Sequence, residues 1–180
     1  MKRVVHVSLT NESIDNAIAE LYAYQKWLEL GAKKLLAAMG KMGVDVASAR
    51  FSSQETKYAG TNDVSVKVED RGQMAVAVVA VGNATLFIEF GTGITYPDSH
   101  PEAGNLGMKH GGYGHHLGRL PGGWYYKGEP GNAGTVMTEG NHAGEVHTLG
   151  NPANMCMWLT INDLEAEFSR LAKEAFHGRS

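Results

Sequence analysis

The chain has 180 residues, is 43% hydrophobic and 19% charged, and carries a formal net charge of −3. These values predict one folded domain with a real core and exclude a disordered chain. No segment is rich in basic residues, which argues against general nucleic-acid binding. The longest apolar run, residues 74–81, is too short for a membrane span of about 20 residues. Cys156 is the single cysteine, which excludes an intrachain disulfide and favours a reducing compartment.

The first part of the chain predicts a short strand or a tether at residues 4–9, followed by a long amphipathic helix. Ser13 has the chemistry of an N-cap. Gly40 and Gly43 mark the expected end of this helix. The alternative is that residues 44–51 continue it as a further helical turn. One face is apolar except for a glutamine and consists of Ile14, Ile18, Leu21, Gln25, Leu28, Ala32, Leu35 and Met39. This stripe favours packing on the domain's own sheet, and the alternative is that part of it lies between subunits.

A β-hairpin is predicted next. Val64, Val66 and Val68 alternate with polar residues, which indicates a strand with one face in water. Residues 70–73 have the chemistry of a tight turn, and the continuous apolar run 74–81 predicts the more central strand. Residues 86–90 are a third apolar piece, either a strand or one helical turn.

The last element is a helix whose start is indicated by Asn151 as N-cap and Pro152 at the first helical position, and whose end is indicated by Gly178. Its apolar stripe consists of Met157, Ile161, Leu164, Phe168, Leu171 and Ala175. The whole pattern predicts an α+β fold, in which a small antiparallel or mixed sheet packs against a long N-terminal helix and a C-terminal helix. Residues 1–180 then form a single domain with a Gly- and His-rich insert at residues 91–150.

Function is expected in this insert, because it holds sixteen of the 23 glycines and six of the eight histidines, and long loops are usually functional or disordered. Zinc-peptidase helices need two histidines four residues apart, whereas here His142 and His147 are five apart with Gly144 between them. The spacing therefore predicts no metal site and no cofactor. The alternative is a metal-dependent hydrolase that uses the insert's candidate ligands, which are His100, His110, His115, His116, His142 and His147, with Asp98, Glu102 and Glu145 nearby.

Other catalytic patterns are also missing from the sequence. Gly91-Thr92-Gly93 is not followed by the Lys-Ser/Thr pair of a phosphate-binding loop, and there is no Gly-x-Ser-x-Gly elbow. Cys156 lies between two methionines, as a core residue would. The chain is therefore predicted not to be an enzyme.

Glu89 is the one charged residue in the apolar segment 86–90. It is either a strand residue that faces solvent or an anchor that locks a turn or pairs with a neighbouring subunit. We favour a helical turn, which places Phe87 and Phe90 on one side, under the two helices, and turns Glu89 outward. Glu89 and the turn Gly91-Thr92-Gly93 then face a neighbouring protein or the base of the insert.

Residues 87–93, Phe-Ile-Glu-Phe-Gly-Thr-Gly, closely resemble the aromatic-x-Glu-Phe-Gly-Thr-Gly signature of the tail-completion (head–tail joining) proteins of long-tailed lambdoid-type bacteriophages. Residues 62–66, and residues 152–155 with the helix that follows, are similar to that family too. Residues 111–114 and 123–126 resemble members from phages of Gram-positive hosts. The matching segments extend from about residue 13 to residue 176, and the insert is longer than the family's.

The resemblance implies a non-enzymatic structural protein of the virion neck or tail, assembled in the host cytoplasm. It implies a homo-oligomer, a hexameric ring between the head connector or stopper and the tail terminator or tube proteins, through which genomic DNA passes without sequence-specific binding. No membrane is implied. A tail-assembly factor outside the neck is the alternative. The interface candidates are Glu89, Gly91, Thr92, Gly93, Trp124, Tyr125 and Tyr126.

Overall fold

The computed structural model describes residues 4–53, 62–93, 99–108, 122–130 and 134–177. Within these residues the chain has the α+β fold that its sequence predicts, with two small antiparallel sheets. The elements are α1 (Asn11–Ser52), β1 (Ser65–Gly72), β2 (Ala75–Val81), α2 (Thr85–Phe90), β3 (Trp124–Tyr126), β4 (Gly134–Val136), β5 (Val146–Thr148) and α3 (Cys156–Ala175).

Helix α1 extends beyond the predicted start and end. It begins after Thr10, whose hydroxyl accepts a hydrogen bond from the Ser13 backbone N–H at 3.3 Å, so Thr10 and not Ser13 is the N-cap. The helix then continues through Gly40 and Gly43 to Ser52, for a total of 42 residues. The prediction that these glycines end the helix was wrong, and the alternative, that residues 44–51 continue it, is the one the structure shows.

The two glycines lie where the hairpin contacts α1. A Cβ at Gly40 would lie 3.1 Å from Val68 Cγ2, and one at Gly43 would lie 2.7 Å from Val78 Cγ2. A larger residue at either position would push the hairpin away from the helix. The glycines therefore serve tertiary contact, and the helix propensity lost there is offset by packing.

Strands β1 and β2 pair antiparallel from Ser65 opposite Val81 to Gly72 opposite Ala75, with an irregularity between positions 70 and 72. The connecting loop is Gln73-Met74, and both residues have positive φ, 46° and 62°. Positive φ at both central residues is the property of a type I′ turn, which matches the twist of the two strands. The turn thus lies closer to β2 than the predicted turn at residues 70–73.

Helix α3 packs antiparallel along α1. Asp163 near its start pairs with Arg50 at 2.6 Å, and Phe176 just after its end lies against Gly31, where an added Cβ would be 2.3 Å from the phenylalanine ring. The core lies where α1, the hairpin, α2 and the start of α3 meet, and its fully buried members are Phe51, Ile88 and Cys156. The prediction that Cys156 is a core residue is confirmed.

The start of α3 lies four residues after the predicted one. Asn151 and Pro152 do not open the helix, which begins at Cys156 after Met155 in a left-handed conformation with φ 53°. The segment before it binds α2 through backbone hydrogen bonds, from Asn154 N to Ile88 O at 2.9 Å and from Met155 N to Glu89 O at 3.2 Å. The local cap signals were overridden by this pairing, and the predicted end at Gly178 lies outside the described residues.

The insert contains a three-stranded antiparallel sheet in the order β3-β5-β4. Its central strand, β5, pairs with Trp124–Tyr126 on one side and with Gly134–Val136 on the other. Val146 in β5 is 1% exposed. Part of the glycine-rich insert is therefore folded against itself.

Candidate functional site

Asp63 fixes the position of α2, the short helix that carries most of the signature. Its carboxylate accepts hydrogen bonds from the backbone N–H groups of Ala84 at 2.9 Å and Asn83 at 2.8 Å, and from the Asn83 side chain at 2.9 Å. These bonds hold the pKa of Asp63 below its ordinary value, and the bond from the Ala84 N–H has the largest effect. Asp63 therefore ties the start of β1 to the start of α2.

Glu89 caps α3 from a distance. Its Oε2 accepts a hydrogen bond from the Met157 backbone N–H at 2.8 Å, and its Oε1 accepts one from the Trp158 N–H at 3.1 Å. The cap residue Met155 makes no side-chain cap of its own, so Glu89 supplies the acceptor that the first turn of a helix needs. The negative charge also lies at the positive end of the helix dipole.

Glu89 is 6% exposed, so the prediction that it turns outward was wrong. Of its two predicted surroundings, a neighbouring protein or the base of the insert, the described contacts include the second, through His100. Its alternative role, an anchor that locks a local structure, is the one the geometry shows. α2 is helical, as favoured, but the face that carries Glu89 is covered by the first turn of α3.

His100 completes the surroundings of Glu89 from the base of the insert. The ring is 4% exposed, and its Nδ1 accepts a hydrogen bond from the Glu102 backbone N–H at 3.1 Å. Because an N–H can only donate, the proton of the neutral ring is on Nε2, which lies 3.3 Å from Glu89 Oε1 and donates to it. No sequence pattern links these two residues, which lie eleven positions apart in the chain.

The Gly91-Thr92-Gly93 turn joins the two ends of the insert. Thr92 N donates to Asn151 O at 2.7 Å, and Asn151 N donates to Thr92 Oγ1 at 3.0 Å. Gly91 and Gly93 have φ of 81° and 70°, and a Cβ at Gly93 would lie 2.2 Å from Leu149 O. Only glycine fits such close backbone approach. The turn faces the base of the insert, which is one of its two predicted surroundings.

The prediction placed Phe87 and Phe90 together under the two helices, and for Phe90 it was wrong. Ile88, fully buried, is the α2 residue packed against Phe51 and Cys156. Phe90 packs instead on residues 99–108, with its ring 4.5 Å from that of His100. The helix turns Ile88 rather than Phe90 toward the main core.

The aromatic run 124–126 lies in β3. Tyr125 is 41% exposed and stacks on His142 with ring centroids 3.7 Å apart. Trp124 is half-buried, and Tyr126 is half-buried with its hydroxyl donating to Glu129 O at 2.8 Å. Burial, with the nearby charge of Glu129, raises the pKa of Tyr126. Of the three interface candidates here, Tyr125 presents the most surface.

The candidate metal ligands are mostly engaged elsewhere. His100 binds Glu89, and His147 Nε2 lies 2.7 Å from Gly122 O. His142 and Glu145 contact each other at 2.6 Å. Within the described parts of the chain, no three His, Cys, Asp or Glu residues come together as a metal site would require. Asp98, His110, His115 and His116 lie outside the described residues.

In the described part of the chain, exposed apolar side chains are concentrated on residues 11–30, the part of α1 beyond the end of helix α3, here called the free half of α1. Helix α3 ends beside Gly31 and Trp27, whose ring centroid is 5.4 Å from that of Phe176. At 1.5 Å per residue the free half extends about 30 Å beyond that point. Its exposed apolar residues include Ile14, Ile18, Leu21, Tyr22, Tyr24 and Leu28. The first part of the predicted apolar stripe is thus exposed rather than buried.

No family model, no curated protein and no solved structure matches this chain. In the described part of the chain, no helix is both long enough and apolar enough to cross a bilayer.

Proposed function

We propose that this chain is a structural protein of a bacteriophage neck, which self-associates into a ring and joins or completes the tail at the head–tail interface. The resemblance of residues 87–93 to the tail-completion signature motivates the class of protein. The partners proposed are further copies of the chain, a head connector or stopper, and tail terminator or tube proteins.

The observation that carries the proposal is the uncovered free half of α1. Soluble monomers rarely expose contiguous apolar patches larger than a few hundred Å², and larger patches mark interaction surfaces. A helix that extends about 30 Å beyond its own domain with apolar side chains along it is suited to packing between subunits.

The contacts of the signature residues support the proposal because they fix the shape of the subunit rather than contact a neighbour. Glu89, His100 and the Gly91-Thr92-Gly93 turn hold α2, α3 and the insert in one arrangement through hydrogen bonds. Such a set of bonds favours a rigid building block. The signature would then preserve the shape of the subunit, and the free half of α1 would make the contacts.

The test is native mass spectrometry and electron microscopy of the purified chain, alone and mixed with tails that lack it. The wild-type chain is expected to form a closed ring or to bind the tail end. Leu21→Glu, in the free half, should reduce assembly at least about tenfold, because a charge would enter an apolar interface.

Leu106→Glu is the matched control, because Leu106 and Leu21 are both 59% exposed. It should assemble as the wild type does. A chain that stays monomeric at all concentrations and does not bind tails would overturn the proposal. If the two variants assembled equally well, the free half of α1 would not be the assembly surface, and the proposal would lose the observation that carries it.

A further inference from the structure

In the described part of the chain, strand β2 has an edge that pairs with no other strand. In the described residues, the hairpin sheet consists of β1 and β2 alone. β2 is Ala-Val-Ala-Val-Val-Ala-Val and contains no charged residue and no proline. Proteins usually protect an exposed edge strand with charged residues or proline. β1, in contrast, carries four charged residues, Lys67, Glu69, Asp70 and Arg71. The edge of β2 is therefore suited to pairing with another strand.

Helix α3 presents apolar side chains beside this edge. Leu164 and Val78 both lie against Gly43, where an added Cβ would be 3.4 Å from the first and 2.7 Å from the second, so this face of α3 points toward β2. Ile161 and Phe168, three residues before and four after Leu164, share its face and are 51% and 47% exposed. A strand added to β2 would be covered by these two side chains.

The strand that fits this position is one without a helix of its own. A two-stranded hairpin is about 10 Å wide, which is the width of one helix, so α1 covers it fully. The hairpin of a second copy would bring its own α1 into the space that α3 already occupies. An isolated extended segment meets no such obstacle.

Residues Val4–Leu9, here called the N-terminal arm, become such a segment when they leave the first turns of α1, where Val4, Val5 and His6 lie beside Ala17. They form neither helix nor strand, and Val4, Val7 and Leu9 are exposed. Valine-rich sequence with alternating polar residues favours a strand. In the sequence, the basic residues Lys2 and Arg3 precede the arm. Glu165 lies between Ile161 and Phe168 on the same side of α3. The positive charge next to the arm is therefore complementary to the negative charge beside the β2 edge.

The arm cannot reach β2 of its own chain. It ends at the start of α1, and the 30 residues from Thr10 to Gly40 form a rigid spacer of about 45 Å. Six extended residues span at most about 20 Å. Only the β2 edge of another copy is within reach.

We infer that the N-terminal arm of one copy pairs with the β2 edge of a second copy, under Ile161 and Phe168. The inference rests on the self-association proposed above and assigns it a donor segment and an acceptor edge. The free half of α1 is then the spacer that carries the arm to the neighbouring subunit.

The test uses the full chain and compares Val7→Asp with Val136→Asp, two exposed valines at 54% and 51%. Val7→Asp is expected to raise the dissociation constant of self-assembly at least about tenfold, while the control leaves it unchanged. Phe168→Lys, on the acceptor side, should weaken assembly in the same way. Circular dichroism checks that each variant is folded.

Hydrogen exchange of residues 75–81 gives the second readout. Their amide exchange should slow when the wild-type chain assembles, since a new strand would pair with the edge. Assembly of Val7→Asp at wild-type strength would overturn the inference and leave the proposed function standing. Unchanged exchange at residues 75–81 in assembled wild type would also overturn it. A wild-type chain that never assembles would overturn the inference and the proposed function together.

Discussion

The backbone N–H of Met157 donates a hydrogen bond to Glu89 Oε2 at 2.8 Å, although 68 positions separate the two residues in the chain. The bond joins the short helix α2 to the first turn of α3 across the whole insert. It gives the acid of the signature a structural purpose, because the first N–H groups of a helix otherwise lack acceptors.

Glu89→Gln should lower the free energy of unfolding by about 1–3 kcal/mol, because the amide group cannot accept from both N–H donors and from His100 as the carboxylate does. Urea unfolding of the monomer measures this loss. Glu139→Gln, at an exposed position of the insert, is the control and should change little. Equal stability of both variants would show that the Glu89 cap is energetically unimportant.

Asp63 should make stability depend on pH. Its folded pKa is lowered by the hydrogen bonds from Ala84 and Asn83. A lowered folded pKa means that the stabilising contribution is present at neutral pH and is lost at about pH 4 and below, as the pH falls through the folded value. Asp63→Asn should therefore be less stable than the wild type at pH 7, and this difference should shrink on acidification. A difference that stays constant from pH 7 to strongly acidic conditions would contradict the assignment.

Gly43→Ala should destabilise the domain by about 1–3 kcal/mol, although alanine is the better helix former by about 1 kcal/mol. The added Cβ would lie 2.7 Å from Val78 Cγ2. Thermal or urea unfolding gives the loss. Combining the change with Val78→Ala should recover part of it, and simple additivity of the two losses would argue against direct contact.

Phe90→Ala should cost about 3–5 kcal/mol as the deletion of a buried aromatic side chain, and Ile88→Ala about 2–5 kcal/mol. Phe90 is 5% exposed and Ile88 is fully buried. The two variants should destabilise different regions. Phe90→Ala should also speed amide hydrogen exchange in residues 99–108, which pack on that ring. Leu106→Ala, at an exposed site, serves as control and should stay within about 0.5 kcal/mol of wild type.

Residues 100–145 of the monomer should exchange amide hydrogen faster than α3 and the part of α1 that α3 covers. The insert sheet has strands of only three residues, and Val146 is its one strand residue among the buried hydrophobic residues. Short ladders with little buried apolar area open at low free energy. Hydrogen exchange read by mass spectrometry checks this, and exchange as slow as that of α3 would refute it.

Periodic patterns in the sequence were enough to predict the α+β fold, because each depends on local geometry. The stripes from Ile14 to Met39 and from Met157 to Ala175 follow the repeat of a helix, and the alternation around Val66 follows that of a strand. Each pattern tells which face is apolar. None tells what covers that face, so Ile18 and Phe168 belong to predicted stripes and remain exposed.

Only the tertiary structure decided how the signature works. The distance in sequence between Glu89 and Met157, and between Thr92 and Asn151, hides contacts that are made across a folded insert. Local signals therefore suggested Asn151 as the cap of α3, while the cap that forms comes from α2. Gly43 looked like a helix end for the same reason: a single sequence shows the loss of helix propensity but not the hairpin that packs against the glycine.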